Sequence, residues 1–480
     1  MLGDLSVPGV FFSFNGNKTS VKITNLYLLG ISISNTINYA SGQAIQISAD
    51  SLKLTVDNVV FEQMSQFAVG YAGNWDKFFI TNCKFRNMTT LPNQYYVGEV
   101  LRNENYIGSF RTDTTILRFN TMLCVSGYAT AATGGIVSYY EFSHNNVIWT
   151  FKNPFFLDRM VNAKFNNNIF YGSYTGGDRV FEYTGGWDSF TANQLPGIIA
   201  MGPLDSLTAA RLLGHASTGA ADPAAELLRK VEVKNNVYFW PLALTNYYKA
   251  WNDTSHIDSI ITPVWMTAQS TSMFSSSATP GFVQSGNTNV DPGFGATIPG
   301  VLNATGGNGV GMLDWFKAVR TGVGTTETYG YKLTVVGAAA NWIPTWPLQE
   351  SADMKYSATL ASTDGRKVGD PWWFNGTSGG PTGVVQTDVR VPSVFSLSPA
   401  YPNPFNPSTT VQYSLSRSGA TSLTVYNLLG QVVSTIVNNA YQEAGTYKVS
   451  IDMSHLPSGV YFSVLEQGHN RAIQKMMLLK

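Results

Sequence analysis

The sequence predicts an all-β chain: a right-handed parallel β-helix with loop and helix insertions, followed by a small Ig-like β-sandwich. Three observations predict it. An apolar–Asn–apolar pattern recurs through residues 20–240. β-Branched and aromatic residues dominate there, while Gly and Asn interrupt every window, which argues against helices. From residue 393 the pattern changes to short alternating runs divided by turn signals.

At 480 residues the chain is long enough for two or three domains. Lys+Arg and Asp+Glu both number 30, and this zero net charge excludes a broad basic surface for nucleic acid. Charged residues make up only 12% and hydrophobic ones 44%, so Asn, Ser, Thr, Gly and Tyr carry the polarity around a sizeable core. No apolar run approaches the roughly 18 residues of a membrane-spanning helix.

The repeat is legible at 23–28, 56–61, 80–85, 119–124, 144–149, 166–171 and 234–239. Its shortest steps, Asn58 to Asn82 and Asn146 to Asn168, suit one turn of a solenoid. A single coil cannot bury its apolar face alone, and stacking builds a continuous core. Asn tolerates the left-handed bend of a corner, and its amide can bond to the Asn of the next coil. The expected ladder is Asn25, Asn58, Asn82, Asn146, Asn168 and Asn236. An ordinary β-sandwich with Asn-rich turns is the competing fold. The constant register of Asn with the apolar pair after it favours the solenoid.

The expected domains are 1–240, with an insertion at 173–229, then a loop-rich capping region and linker at 241–392, then 393–480. Within the insertion, 204–213 and 223–230 read as short helices capped by Asp205 or Ser206 and by Asp222 ahead of Pro223. The Gly-, Ser- and Pro-rich stretches of 241–392 are expected to close the open end of the solenoid, with a linker near 375–383. Strands are expected at 409–415, 422–426, 431–437, 446–452, 459–465 and 471–479.

The last domain carries Tyr401-Pro402-Asn403-Pro404-Phe405-Asn406-Pro407, Val425-Tyr426-Asn427-Leu428-Leu429-Gly430-Gln431, Ala444-Gly445-Thr446-Tyr447, Leu456-Pro457-Ser458-Gly459-Val460-Tyr461-Phe462 and a closing Lys475-Met476-Met477-Leu478-Leu479-Lys480. In that order these resemble the type A sorting domain of the type IX secretion system. The resemblance implies export across the outer membrane of a Bacteroidetes- or Chlorobi-type bacterium, with the type IX machinery as partner and the cell surface or medium as destination. Such cargo also carries a secretion signal peptide. Residues 1–6 show no basic segment followed by an apolar one, so the sequence is expected to lack its natural N-terminus. An address of this kind says nothing of the cargo's chemistry.

The Asn-cornered repeat broadly resembles the pectate-lyase-like superfamily, whose members include polysaccharide lyases, glycosidases and binding proteins. A lyase neutralises a uronate carboxylate and places a base beside it. Glu62 and Arg86, at one repeat position, with Lys84 nearby, are the catalytic candidates; their structural explanation is a cross-coil ion pair at the surface. Lys84 aligns in this reading with Val60, Leu123, Ile148, Phe170 and Tyr238, a row expected to be covered rather than a charged cleft. For glycan binding the candidates are Arg102 and Glu104 in the polar patch 99–106, with Arg111, Tyr139 and Tyr140.

His144, His215, His256, His455 and His469 are scattered and no calcium-loop pattern occurs, so no metal site is expected; Ca2+ enters only under the lyase reading. Cys83 and Cys124 are expected to be buried thiols. The favoured function is a non-enzymatic secreted shaft with a structural, adhesive or glycan-binding role. A polysaccharide lyase and the subunit of an extracellular filament are the alternatives, so the partner of the shaft is a polysaccharide or a second copy.

Overall fold

The computed structural model describes residues 10–30, 43–89, 98–104, 110–132, 135–157, 159–175, 178–179, 197–253, 260–295, 297–303, 311–321, 334–336, 343–345, 354, 356, 362, 364, 367–370, 373, 385–388, 394–416, 419–442, 445–454, 456–468 and 470–480. They fall into two compact units, residues 1–359 with 368–370, and residues 360–367 with 371–480.

In the first unit, short runs with alternate apolar residues assemble into three parallel sheets. The first sheet holds Phe12–Phe14, Ile45–Ile47, Phe67–Tyr71, Glu99–Asn103, Thr130–Ala131 and Phe155–Phe156. The second holds Ser20–Thr24, Lys53–Asp57, Lys77–Thr81, Arg111–Arg118, Ile136–Ser143, Met160–Asn166, Lys230–Lys234 and Phe282–Ser285. The third holds Tyr27–Leu29, Val60–Glu62, Lys84–Met88, Thr121–Val125, Asn146–Thr150, Ile169–Tyr171, Val237–Phe239 and Thr288–Asn289. Up to Phe156 the chain visits the sheets in turn, so each winding lends one strand to each. Their inner faces share one core, in which Val56, Ile80, Leu117, Phe142, Phe165 and Val233 form one column and Phe61, Phe85, Met122, Val147 and Phe170 another.

Between the second and third sheets the chain bends through left-handed residues: Asn25, Asn58, Asn82, Phe119, His144, Asn167 and Asn235, with φ between 51° and 60°. The residue after each bend turns inward. From the fourth winding on it is an asparagine: Asn120, Asn145, Asn168, Asn236 and Asn287. Asn145 Oδ1 accepts from the backbone N–H of Asn120 at 2.9 Å and from its Nδ2 at 3.0 Å. Asn168 does the same for Asn145 at 2.9 and 3.1 Å, and Asn236 for Asn168 at 3.0 and 2.9 Å. Each Nδ2 also donates to a backbone carbonyl of the preceding winding, Leu117 O in the case of Asn145 at 3.0 Å.

The ladder therefore differs from the one expected. Asn25, Asn58 and Asn82 occupy the bend itself, where Asn58 Nδ2 donates to Asn25 Oδ1 at 2.8 Å. Asn168 and Asn236 stand one position later, in the buried ladder, and Asn146 two positions later, paired with Thr121 on the outer side of the third sheet. Runs of consecutive asparagines made the register ambiguous by one residue.

The stack also continues past residue 240. After the helices Leu242–Asn252 and Ala268–Ser275, Phe282 pairs beside Val231 and Asn287 extends the ladder. The expected helices of the insertion are present as Ser206–Leu213 and Pro223–Glu226. Asp205 Oδ1 accepts from Thr208 N–H at 2.8 Å and Asp222 Oδ1 from Ala224 N–H at 2.9 Å.

Other described residues of 241–392 lie along the outer side of the third sheet. Trp149 Nε1 donates to Ile298 O at 2.5 Å, Phe151 packs on Trp315 and Phe316, and Thr121 Oγ1 donates to Asp370 Oδ2 at 2.8 Å. Buried Leu123, Ile148 and Tyr171 give that side an apolar stripe, and this is why it is covered. The expected linker at 375–383 lies outside the described residues. Cys83 and Cys124 are buried thiols, as expected, with burial pushing both pKa values up.

The second unit holds two antiparallel sheets. One is Val385–Asp388, Gly445–Asp452, Ser408–Leu415 and Ser396–Leu397; the other is Val432–Gln442, Gly419–Tyr426, Gly459–Gln467 and Asn470–Leu478. All six expected strands are present. Val411, Tyr413, Val449 and Ile451 from the first sheet meet Leu423, Val425, Leu465 and Met476 from the second in one core.

Two expectations about stability follow from this packing. Asn145→Ala strips acceptors from Asn120 and a donor from Leu117 O, all buried, and should cost at least about 3 kcal/mol in denaturant unfolding. Asn58→Ala loses a preference for the left-handed bend and one solvent-exposed hydrogen bond to Asn25, and should cost only about 1 kcal/mol. Equal costs would contradict the ladder. Asp76 is buried with Oδ2 unpartnered, and Oδ1 accepts from Leu52 N–H at 2.8 Å. Burial, opposed by the Leu52 N–H and aided by Asp50, pushes its carboxyl up to about 7 from an ordinary 3.8. The folded protein thus keeps a proton that the unfolded chain has released, and stability falls as pH rises from about 4 to about 7. Asp76→Asn should flatten that slope, with its gain over the native residue largest above pH 7 and absent near pH 4, as read from unfolding midpoints across pH.

Candidate functional site

Glu62 and Arg86 are partners on adjacent strands of the third sheet, as their shared repeat position requires. Arg86 Nε donates to Glu62 Oε2 at 2.8 Å and Asn87 Nδ2 donates to Oε1 at 3.1 Å. The pair is not at the surface, however: Glu62 is fully buried and Arg86 is 6% exposed. Burial pushes Glu62 up to about 7 against the opposing charge and hydrogen bond of Arg86. Lys84 is half-buried and aligns with Val60 and Thr121, not with Leu123. A polymer reaching this side meets neither Glu62 nor the Arg86 contact.

The five glycan candidates separate. Tyr140 points into the core, its hydroxyl donating to Thr130 Oγ1 at 3.0 Å. Val137 and Tyr140 both point inward, so the alternation breaks between them and Tyr139 faces out. Arg102 is buried against Glu99 at 3.0 Å on the first sheet, where Glu104 Oε2 accepts from Gln43 Nε2 at 3.0 Å. Only Arg111 and Tyr139 share the outer face of the second sheet.

On that face the windings align polar side chains that sequence reasoning missed. Glu141, Lys164 and Glu232 sit directly opposite one another on three adjacent strands. Beside them run Arg118, Ser143, Asn166 and Lys234 in a second row. Arg118 donates to Glu141 Oε1 through Nε at 2.9 Å and Nη2 at 2.5 Å; Ser143 donates to the same oxygen and Tyr139 to Oε2 at 3.1 Å. Glu232 accepts from Lys234 and Asn166. At the edge of the sheet, the guanidinium of Arg111 lies 4.7 Å from the ring centroid of half-exposed Trp75 and donates to Ser138 Oγ at 2.8 Å.

Burial alone would raise both carboxyls. For Glu141 the charge of Arg118, its hydrogen bonds and Lys164 outweigh this, and for Glu232 the Lys234 and Asn166 hydrogen bonds with Lys234 and Lys164 do; both are held below the usual range. Tyr139 is pushed up by burial and by Glu141, so it stays a neutral donor. Two fixed carboxylates, three cations and a phenol make a surface that hydrogen-bonds polar ligands. A general acid would need a carboxyl raised rather than lowered. The signal was in the sequence: Glu141, Lys164 and Glu232 each stand three residues before a bend, and Arg118, Ser143, Asn166 and Lys234 one before.

Among the described residues no three His, Cys, Asp or Glu side chains group as ligands for a metal; His256, His455 and His469 lie outside them. The buried pair is expected to be structural. Arg86→Met should cost about 3 kcal/mol by leaving Glu62 without its guanidinium, and Glu62→Leu combined with Arg86→Met should recover most of it in unfolding experiments.

Among the described residues no helix is long and apolar enough to cross a membrane. None of the curated proteins and none of the solved structures matches the chain. A family model does: the secretion system C-terminal sorting domain, over residues 399–479. That stretch lies in the antiparallel unit and ends with its last strand. The tail of this protein is a type IX secretion sorting domain, and its implied destination is the cell surface or the medium.

Proposed function

We propose that the first unit is a right-handed parallel β-helix of the pectate-lyase-like kind, serving without catalysis as a secreted shaft that binds glycan on the outer face of its second sheet. The row of Glu141, Lys164 and Glu232, flanked by Arg118, Tyr139 and Lys234, carries this reading. Sugars present many hydroxyls and few charges, and a flat array of ionised donors and acceptors answers them at successive 4.8 Å rungs, about the strand spacing of any sheet. Trp75 and Tyr139 add aromatic surface for a sugar ring. The sorting tail delivers such a shaft to where extracellular polymers are met.

Binding of the full chain to immobilised neutral and acidic polysaccharides tests this. Lys164→Ala with Lys234→Ala should weaken binding of the recognised polymer about tenfold or more, with the unfolding midpoint little changed. Binding that survives this substitution would move the site elsewhere. Release of unsaturated uronide products, seen by ultraviolet absorbance, would establish a lyase instead.

A further inference from the structure

The sorting domain shows one feature that neither its core nor its strands require. At the hairpin between Gly419–Tyr426 and Val432–Gln442, Leu428 is 69% and Leu429 82% exposed, and Val432 just beyond is 56% exposed. A tight turn has no need of leucine, since polar residues and glycine serve it better. Yet the turn is firmly built. Asn427 Oδ1 accepts from Leu429 N–H and Gln431 N–H, both at 3.0 Å, and Asn427 Nδ2 donates to Gln431 Oε1 at 2.9 Å. The backbone adds Asn427 N–H to Gln431 O and Gly430 N–H to Asn427 O, both at 3.0 Å. Gly430, at φ 74°, supplies the left-handed residue that closes it. Two leucines are thus held outward on a frame that is already ordered.

We propose that this turn is the element by which a protein of the type IX secretion machinery reads the sorting domain, with Leu428 and Leu429 entering an apolar pocket on that protein. The proposal rests on the sorting-domain match and is independent of the glycan reading. Preorganisation removes the ordering cost that a flexible apolar loop would bring to binding. Size points to a passing contact: two leucines and a valine offer on the order of 400 Å², about half of the roughly 800 Å² per partner of a lasting interface. A second copy of this chain, which would have to hold on through the same small patch, is the poorer occupant.

The full chain, placed behind a periplasmic export signal in a bacterium with type IX secretion, tests this by the fraction reaching the surface or medium. Leu428→Ser with Leu429→Ser should lower that fraction about tenfold and leave the protein in the periplasm, with the thermal unfolding of the purified chain unchanged. Asn427→Ala keeps both leucines but loosens their frame, and should lower export several-fold. Ile473→Ser, which removes an exposed apolar residue from the strand Asn470–Leu478, should leave export as it was. Native-level export of the double serine variant, or an equal loss with Ile473→Ser, overturns the proposal. Export of a chain lacking residues 399–479 would instead remove the sorting role on which it rests.

Discussion

The register between windings is the constraint from which the rest of the first unit follows, and buried asparagine amides hold it. Each ladder asparagine accepts twice from its neighbour in the preceding winding and donates onward, so its amide is satisfied only when the windings are in phase. A slip of one residue would turn these amides outward and push polar groups such as Arg118 or Ser143 toward the phenylalanine columns. Burial without partners costs about 1–3 kcal/mol per group, so such a slip is strongly opposed across several windings. The apolar core would tolerate sliding far better than the ladder does. Hydrophobic burial makes the stack, and the amides fix its phase.

That phase also explains what was legible in the sequence and what was not. Alternation and turn signals suffice for antiparallel hairpins, and the six strands expected in the second unit stand where those signals put them. In the first unit the recurrence of apolar pairs was visible, but the phase was blurred at Asn145-Asn146, Asn166-Asn167-Asn168 and Asn235-Asn236, where more than one asparagine competes for the same role. Phe119 and His144 hid it further by taking left-handed bends usually left to asparagine or glycine. Placing Asn146 in the ladder sets Leu123 beside Lys84 in place of Thr121 and hides the charged column of the second sheet. Tyr140 misled for a different reason, an irregularity within its strand that no period of two can reveal.

Two of the arginine–glutamate pairs show why residue types alone could not place the site. Glu62 with Arg86 and Glu141 with Arg118 have nearly the same short geometry. Around Glu62 the desolvation of a fully buried carboxyl dominates and its pKa rises; around Glu141 a serine hydroxyl and Lys164 join the guanidinium and it falls. The first arrangement is closed, with its bonding directed inward. The second is open to one side and continues across strands to Glu232 and Lys234.

A common distinction runs through both units. Where side chains exist to hold the fold, as in the asparagine ladder, each group's hydrogen-bonding capacity is met by its neighbours. Lys164 and the pair Leu428 and Leu429 are of another kind. The carboxylates beside Lys164 are already bonded to Arg118, Ser143, Tyr139, Lys234 and Asn166, and the hairpin beneath the leucines is already closed by Asn427 and Gly430. The fold draws little stability from a lysine or two leucines held outward on frames that others complete. We attribute side chains of that description to the partners proposed above, a polar polymer for the lysine and an apolar pocket for the leucines.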